Sequence, residues 1–135
     1  MKIIIAGSRT INDYNLLKQV MLKSNAASKA TEIFSGAAKG VDKLGERWAK
    51  ENKIKLTLFP ARWQDLDAPG AIIDVHPHPQ IDGYYNSRAG IQRNEEMGDK
   101  ADALVALWDG KSRGTKHMID YMKKLGKKVY VHQVA

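Results

Sequence analysis

The chain has no cysteine. That excludes disulfides, thiolate metal sites and a cysteine nucleophile, and it fits a reducing compartment. It has only four prolines, Pro60, Pro69, Pro77 and Pro79, so most of the chain carries no such break. No apolar run approaches the roughly 20 residues of a membrane-spanning helix. The apolar start, Met1 to Ala6, is too short for a signal peptide and runs straight into Gly7-Ser8-Arg9. A soluble cytoplasmic protein without a membrane partner is expected. Two nucleotide-binding signatures are also missing. There is no G-x-G-x-x-G, and Gly110-Lys111-Ser112-Arg113-Gly114-Thr115 lacks the spacing of a Walker A loop. Neither a dinucleotide oxidoreductase nor a P-loop enzyme is supported.

Acidic residues are the minority. Fifteen Asp and Glu stand against twenty-two Lys and Arg, for a net charge of +7. Phosphate-bearing partners suit such a chain, whether small nucleotides or nucleic acid. Much of the charge lies in Lys100, Lys111, Arg113, Lys116 and the pairs Lys123-Lys124 and Lys127-Lys128, and those pairs also read as a solvated surface. The 135 residues, 43% of them hydrophobic, suit one domain with a real core.

Apolar runs and helical spacings alternate along the chain. Residues 2–6 read as a strand buried on both faces, ended by Gly7-Ser8-Arg9-Thr10. Asn12 or Asp13 caps a helix, in which Tyr14, Leu17 and Met21 follow helical spacing to about Ala27. Thr31 to Phe34 is a second strand. Ser35 to Asp42 turns into a helix to about Asn52, with Val41, Leu44 and Trp48 inward and Lys43, Glu46, Arg47 and Lys50 toward water. Ile54 to Phe59 is a third strand. Residues 61–88 read as a long loop with a short strand at Ala71-Ile72-Ile73. A helix from Ala89 carries Arg93 to Met97, and Ala103 to Trp108 is a fourth strand. Asp109 to Thr115 opens a last helix, with Met118, Met122 and Leu125 buried and Gly126 as its C-cap, before a strand at Val129 to Val131. This alternation predicts an α/β, Rossmann-like parallel sheet of about five strands with helices on both faces.

Ligands of such sheets bind beyond the carboxyl ends of the strands. Three motifs fall there: Gly7-Ser8-Arg9, Ser35 to Asp42 and Asp109 to Thr115. Gly36 and Gly40 permit a close approach, and helix N-termini favour anions. Lys39 adds charge and Arg9 can pair with phosphate. Ser112 and Thr115 add hydroxyls beside Gly114. Arg93, Asn94 and either Glu95 or Glu96 can reach a sugar or serve as acid or base, and Trp108 can line a pocket. Trp63, Tyr84 and Tyr85 can stack on a base or anchor the loop. His76 and His78 alternate in an extended segment and point opposite ways, so no metal is expected there.

The motifs Ala6-Gly7-Ser8-Arg9, Ser35-Gly36-Ala37-Ala38-Lys39-Gly40-Val41-Asp42, Phe59-Pro60-Ala61-Arg62-Trp63, Ala89-Gly90 with Arg93-Asn94-Glu95-Glu96-Met97, and Trp108-Asp109-Gly110 through Gly114-Thr115 together resemble the SLOG superfamily, in its small YspA-like branch of bacteria and phages. The resemblance covers nearly the whole chain. It implies a Rossmann-like fold and a nucleotide or nucleotide-derived ligand, bound as by a sensor or sequestering protein, with no cofactor. It also implies homo-oligomers. Members of the superfamily include lonely-guy phosphoribohydrolases and the DNA-processing protein DprA. These imply two alternatives: an N-glycosidase acting on a nucleoside monophosphate, and a nucleic-acid binder. The phosphoribohydrolases carry a glutamate three residues after Gly-Thr, where this chain has Met118; Asp120 lies on another face, and the preceding Pro-Gly-Gly is absent. Glu95 is then the one candidate catalytic acid. Gly7, Ser8, Arg9, Ser35, Gly36, Lys39, Gly40, Asp42, Arg93, Asn94, Glu95, Trp108, Ser112, Gly114 and Thr115 are the expected ligand contacts.

Overall fold

A computed structural model describes residues 1–61 and 89–134, and the backbone of 73–74 and 85–86. The expectations for Arg62, Trp63, His76, His78, Tyr84, the Tyr85 side chain and most of the 61–88 loop lie outside the described residues.

The elements follow in the order β1 (Lys2–Gly7), α1 (Tyr14–Lys23), α2 (Ala26–Lys29), β2 (Glu32–Ser35), α3 (Val41–Glu51), β3 (Lys55–Leu58), β4 (Ile73–Asp74), β5 (Tyr85–Asn86), α4 (Ala89–Lys100), β6 (Ala103–Trp108), α5 (Arg113–Lys124) and β7 (Lys128–Gln133). Five strands pair in parallel in the order β3-β2-β1-β6-β7, and β4 pairs antiparallel with β5. The fold is the expected α/β parallel sheet with helices on both faces.

The two faces explain why the first strand is apolar and buried from Ile3 to Ala6 without alternation. Ile3 and Ile5 pack with Leu17, Met21, Ile33, Val41 and Trp48 under α1, α2 and α3. Ile4 and Ala6 pack with Phe34, Met97, Leu104, Met118 and Met122 under α4 and α5. A half-buried strand would alternate; a central strand between two helical layers cannot. Burying each of these isoleucines contributes about 1.5–3 kcal/mol.

Boundaries moved where side chains compete with the backbone. The helix expected to reach Ala27 breaks at Ser24, whose hydroxyl donates to the Val20 and Met21 carbonyls, and Asn25 takes φ 60° before α2 restarts. Asp13, not Asn12, is the cap of α1, its carboxylate accepting from the Leu16 amide at 3.1 Å. The last strand runs to Gln133 because its register with β6 continues through Trp108. Leu125, expected in the buried stripe of α5, is 40% exposed because it sits past the last turn, beside Gly126 at φ +72°.

Candidate functional site

Strand order reverses between β1 and β6, so the chain leaves β1 toward one side of the sheet and enters β6 from the other. The crevice beyond that reversal is the binding position of this architecture. A cleft of two adjoining lobes occupies it. The inner lobe, about 230 Å³, is floored by Ala6, Met97 and Met118 and walled by Arg9, Asp42, Arg93, Asn94, Ser112 and Thr115. The outer lobe, about 130 Å³, is lined by Gly36, Lys39 and Pro60 and shares Arg9, Ala38 and Arg93 with the inner one.

Three amides of the Ser35–Val41 turn, those of Ala37, Ala38 and Val41, are bonded within the protein. The Ser35 hydroxyl, fully buried, lies 2.8 Å from Glu46 Oε2 and 3.3 Å from the Asp42 carbonyl, and accepts from the Ala37 amide at 3.1 Å. The Ala38 amide donates to Asp42 Oδ2 at 3.2 Å, and the Val41 amide to the Ser8 carbonyl. Ala37 sits at φ 61°, a backbone region alanine seldom adopts. Gly40 has φ 76°, and a Cβ there would lie 2.4 Å from the Ser8 carbonyl oxygen. A Cβ on Gly36 would meet Arg93 Nη1 at 2.6 Å. Packing and backbone angle thus call for glycine at position 40, and at position 36 the Arg93 and Asp42 side chains leave no room for a methyl unless they shift. Glu46, expected to face water, is 8% exposed because it reaches back under the turn to Ser35.

Arg93 joins α4 to this turn. Its Nη1 donates to the Gly36 carbonyl and its Nε to Asn94 Oδ1. Asn94 donates in turn to the Gly114 carbonyl at 3.1 Å, so α4 bridges the two glycine turns. Burial, then the nearby Arg9, lowers the pKa of Arg93, with Asp42 opposing. Arg9 and Lys39 are exposed and make no hydrogen bond or ion pair among the described residues.

The Asp109–Thr115 turn is built differently. Asp109 Oδ1 accepts from the Lys111 and Ser112 amides, each at 2.8 Å, which holds its carboxyl below the usual range. Ser112 caps α5, with its hydroxyl 3.1 Å from that of Thr115. A Cβ at Gly114 would meet nothing within 4 Å. The Arg113 and Gly114 amides, in the first turn of α5, have no acceptor among the described residues.

Asp42 is the one carboxylate on either lobe among the described residues. Burial pushes it up to about 6, against the Ala38 and Gly7 amides and the Arg93 charge, with Glu46 adding to the rise.

Of the expected contacts, Gly7, Arg9, Gly36, Lys39, Asp42, Arg93, Asn94, Ser112, Gly114 and Thr115 line the cleft. Ser8, Ser35 and Gly40 lie behind it. The Ser8 hydroxyl accepts from the Asp109 amide at 3.0 Å and ties the two turns together. Trp108 braces the second turn, its indole N–H donating to the Ser112 carbonyl at 3.0 Å. Glu95 lies on the other side of α4, in a groove with Ile91, His117, Asp120, Tyr121 and Lys124. Met97 and Met118 escaped notice as site residues because helical methionines read simply as core.

Residues 1–65 match the YspA, cpYpsA-related SLOG family. No curated protein matches the chain. Two solved structures share its fold. One is DNA processing protein A from Helicobacter pylori, studied for its single-stranded DNA binding mode, at 18% identity and TM-score 0.65 over 97% of this chain. The other is DNA processing protein A (DprA) from Streptococcus pneumoniae, at 16% identity and TM-score 0.64 over 99% of this chain. The chain spans 64% and 50% of the lengths of these two proteins. At such identities the likeness is one of fold: the five-stranded Rossmann-like sheet of this chain is also found in DNA processing protein A, and its first half carries the SLOG-family match.

Proposed function

We propose that the cleft binds phosphate groups of a single-stranded nucleic acid. The observation that carries this reading is the convergence of Arg9, Arg93 and Lys39 on one crevice at the strand-order reversal, two of them without a protein partner among the described residues. Unpaired cations beside open helix N–H groups are what an anionic backbone needs. The net charge of +7 and the fold shared with a protein whose single-stranded DNA binding was studied support a strand over a free nucleotide. A free nucleotide or nucleotide-derived ligand is supported by the concavity of the inner lobe and its apolar floor of Ala6, Met97 and Met118. The position of Glu95 in the other groove counts against an N-glycosidase that uses it as the acid.

The experiment is fluorescence anisotropy of a labelled oligothymidylate across a salt series, beside calorimetry with nucleoside monophosphates. The strand reading expects a steep log–log salt slope. It also expects Arg9→Ala to weaken binding by about 1.5–3 kcal/mol, the value of a charge-assisted hydrogen bond. Tight mononucleotide binding with gentle salt dependence, and no oligonucleotide binding, would hand the site to the small ligand. Unchanged oligonucleotide affinity in Arg9→Ala would remove the cleft from the account.

A further inference from the structure

We infer that the cleft takes up its phosphate together with one proton, and that this proton resides on the Asp42 carboxyl. The inference rests on the phosphate reading of the cleft and adds a residue that decides when binding occurs. Asp42 is 6% exposed and lies on the inner wall, in the same cavity as the cations that would hold the anion. An ionised carboxylate there opposes an incoming phosphate and cancels part of the attraction of Arg9 and Arg93.

The groups around Asp42 define the balance. From the end of β1 comes the Gly7 amide, from the segment after it Arg9, and from α4 Arg93. On its own helix stands Glu46, whose Oε2 is taken by the Ser35 hydroxyl and whose Oε1 lies 3.6 Å from Lys43. The α5 residues on the cavity wall, Ser112, Gly114, Thr115 and Met118, carry no ionisable group. No ion pair within 4 Å joins Asp42 to either arginine among the described residues; Arg93 spends Nη1 on Gly36 and Nε on Asn94. The charge of Asp42 is thus held by desolvated surroundings and amides, and burial already favours its neutral form. A phosphate brought against it completes the shift. The neutral acid then donates its O–H to a phosphate oxygen instead of repelling it. His117, the histidine nearest the cleft among the described residues, lies beyond Asn94 in the groove with Glu95.

The test uses two probes with no group titrating between about pH 5 and 8: a 5′-hydroxyl oligothymidylate and inorganic sulfate. For the wild type, the dissociation constant should be flat below about pH 6 and rise about tenfold per pH unit above it. Calorimetry in two buffers of different ionisation enthalpy should count about one proton taken up per ligand at about pH 8. Asp42→Asn should flatten the profile and bind more tightly than wild type at the alkaline end, while His117→Gln should keep the wild-type slope. A flat wild-type profile, a slope that survives in Asp42→Asn, or one lost in His117→Gln overturns the inference. If Asp42→Asn does not fold, the wild-type proton count decides, and zero uptake refutes the proposal. Linked sulfate binding without oligothymidylate binding leaves the inference standing and removes the strand reading. Binding of neither probe removes both.

Discussion

The two glycine turns at the carboxyl end of the sheet look alike in sequence and differ in how their polar groups are spent. In Ser35 to Val41, the Ala37, Ala38 and Val41 amides are all bonded within the protein, and both glycines are surrounded by atoms that a methyl group would strike. In Asp109 to Thr115, Gly114 faces open space and two amides of the first helical turn have no acceptor among the described residues. The first turn fixes Arg93 and Asp42 on the cavity wall and brings Lys39, a free cation among the described residues, to the outer lobe. The second offers the groups an anion can still use. A glycine-rich sequence therefore does not identify a phosphate loop; an account of where each N–H goes does.

The largest expected effect breaks the first turn. Gly40→Ala combines a positive φ with a Cβ 2.4 Å from a backbone oxygen, and neither can relax cheaply. It should cost about 3 kcal/mol or more in stability, read by urea denaturation. A loss under about 1 kcal/mol would mean that this turn is as open as the second.

Asp42 supplies the next test. Its carboxyl is raised to about 6 in the fold. Both folded and unfolded chains hold the proton well below the unfolded value of about 3.9, so there it costs nothing. As pH rises from there through about 6, the unfolded chain ionises first and the fold loses stability, by up to roughly 3 kcal/mol for a two-unit shift. Asp42→Asn, which keeps an acceptor for the Ala38 amide, should remove this loss. The stability of the variant relative to wild type should climb from about pH 4 to 7, as measured by denaturation at each pH. A constant difference across that range would show that Asp42 is ionised without penalty.

The smallest effect on stability belongs to Gly114→Ala. With nothing within 4 Å of the new methyl and a helical backbone, it should change stability by less than about 1 kcal/mol, in the stabilising direction. Oligothymidylate affinity should nonetheless fall, because the methyl occupies the approach to the Arg113 and Gly114 amides. Stability and binding would thus separate at the second turn and coincide at the first.

The parallel sheet was legible from Ile3-Ile4-Ile5, Ile33-Phe34 and Leu104 to Leu107, because a strand covered on both faces cannot alternate. The three carboxyl-end motifs were legible because each follows such a run. What each residue does within them was not. Ser8 and Ser35 read as phosphate ligands, and nothing nearby in sequence announces that their hydroxyls also bond the Asp109 amide and Glu46, 101 and 11 residues away. Glu46 reads as a solvent-facing charge until the turn folds over it. Glu95 and Arg93 are two positions apart and so face different sides of α4, but only the packing of α4 against α5 decides which side is the cleft. These are long-range facts, and helical spacing carries none of them.

The most direct measurement is a nitrogen–proton correlation spectrum recorded during titration with oligothymidylate. The Arg113 and Gly114 amides and the Arg9 guanidinium should shift with the added strand, while the Ala37 amide, already bonded to the Ser35 hydroxyl, stays nearly still. A shift at Ala37, with Arg113 and Gly114 unmoved, would contradict this division of the two turns.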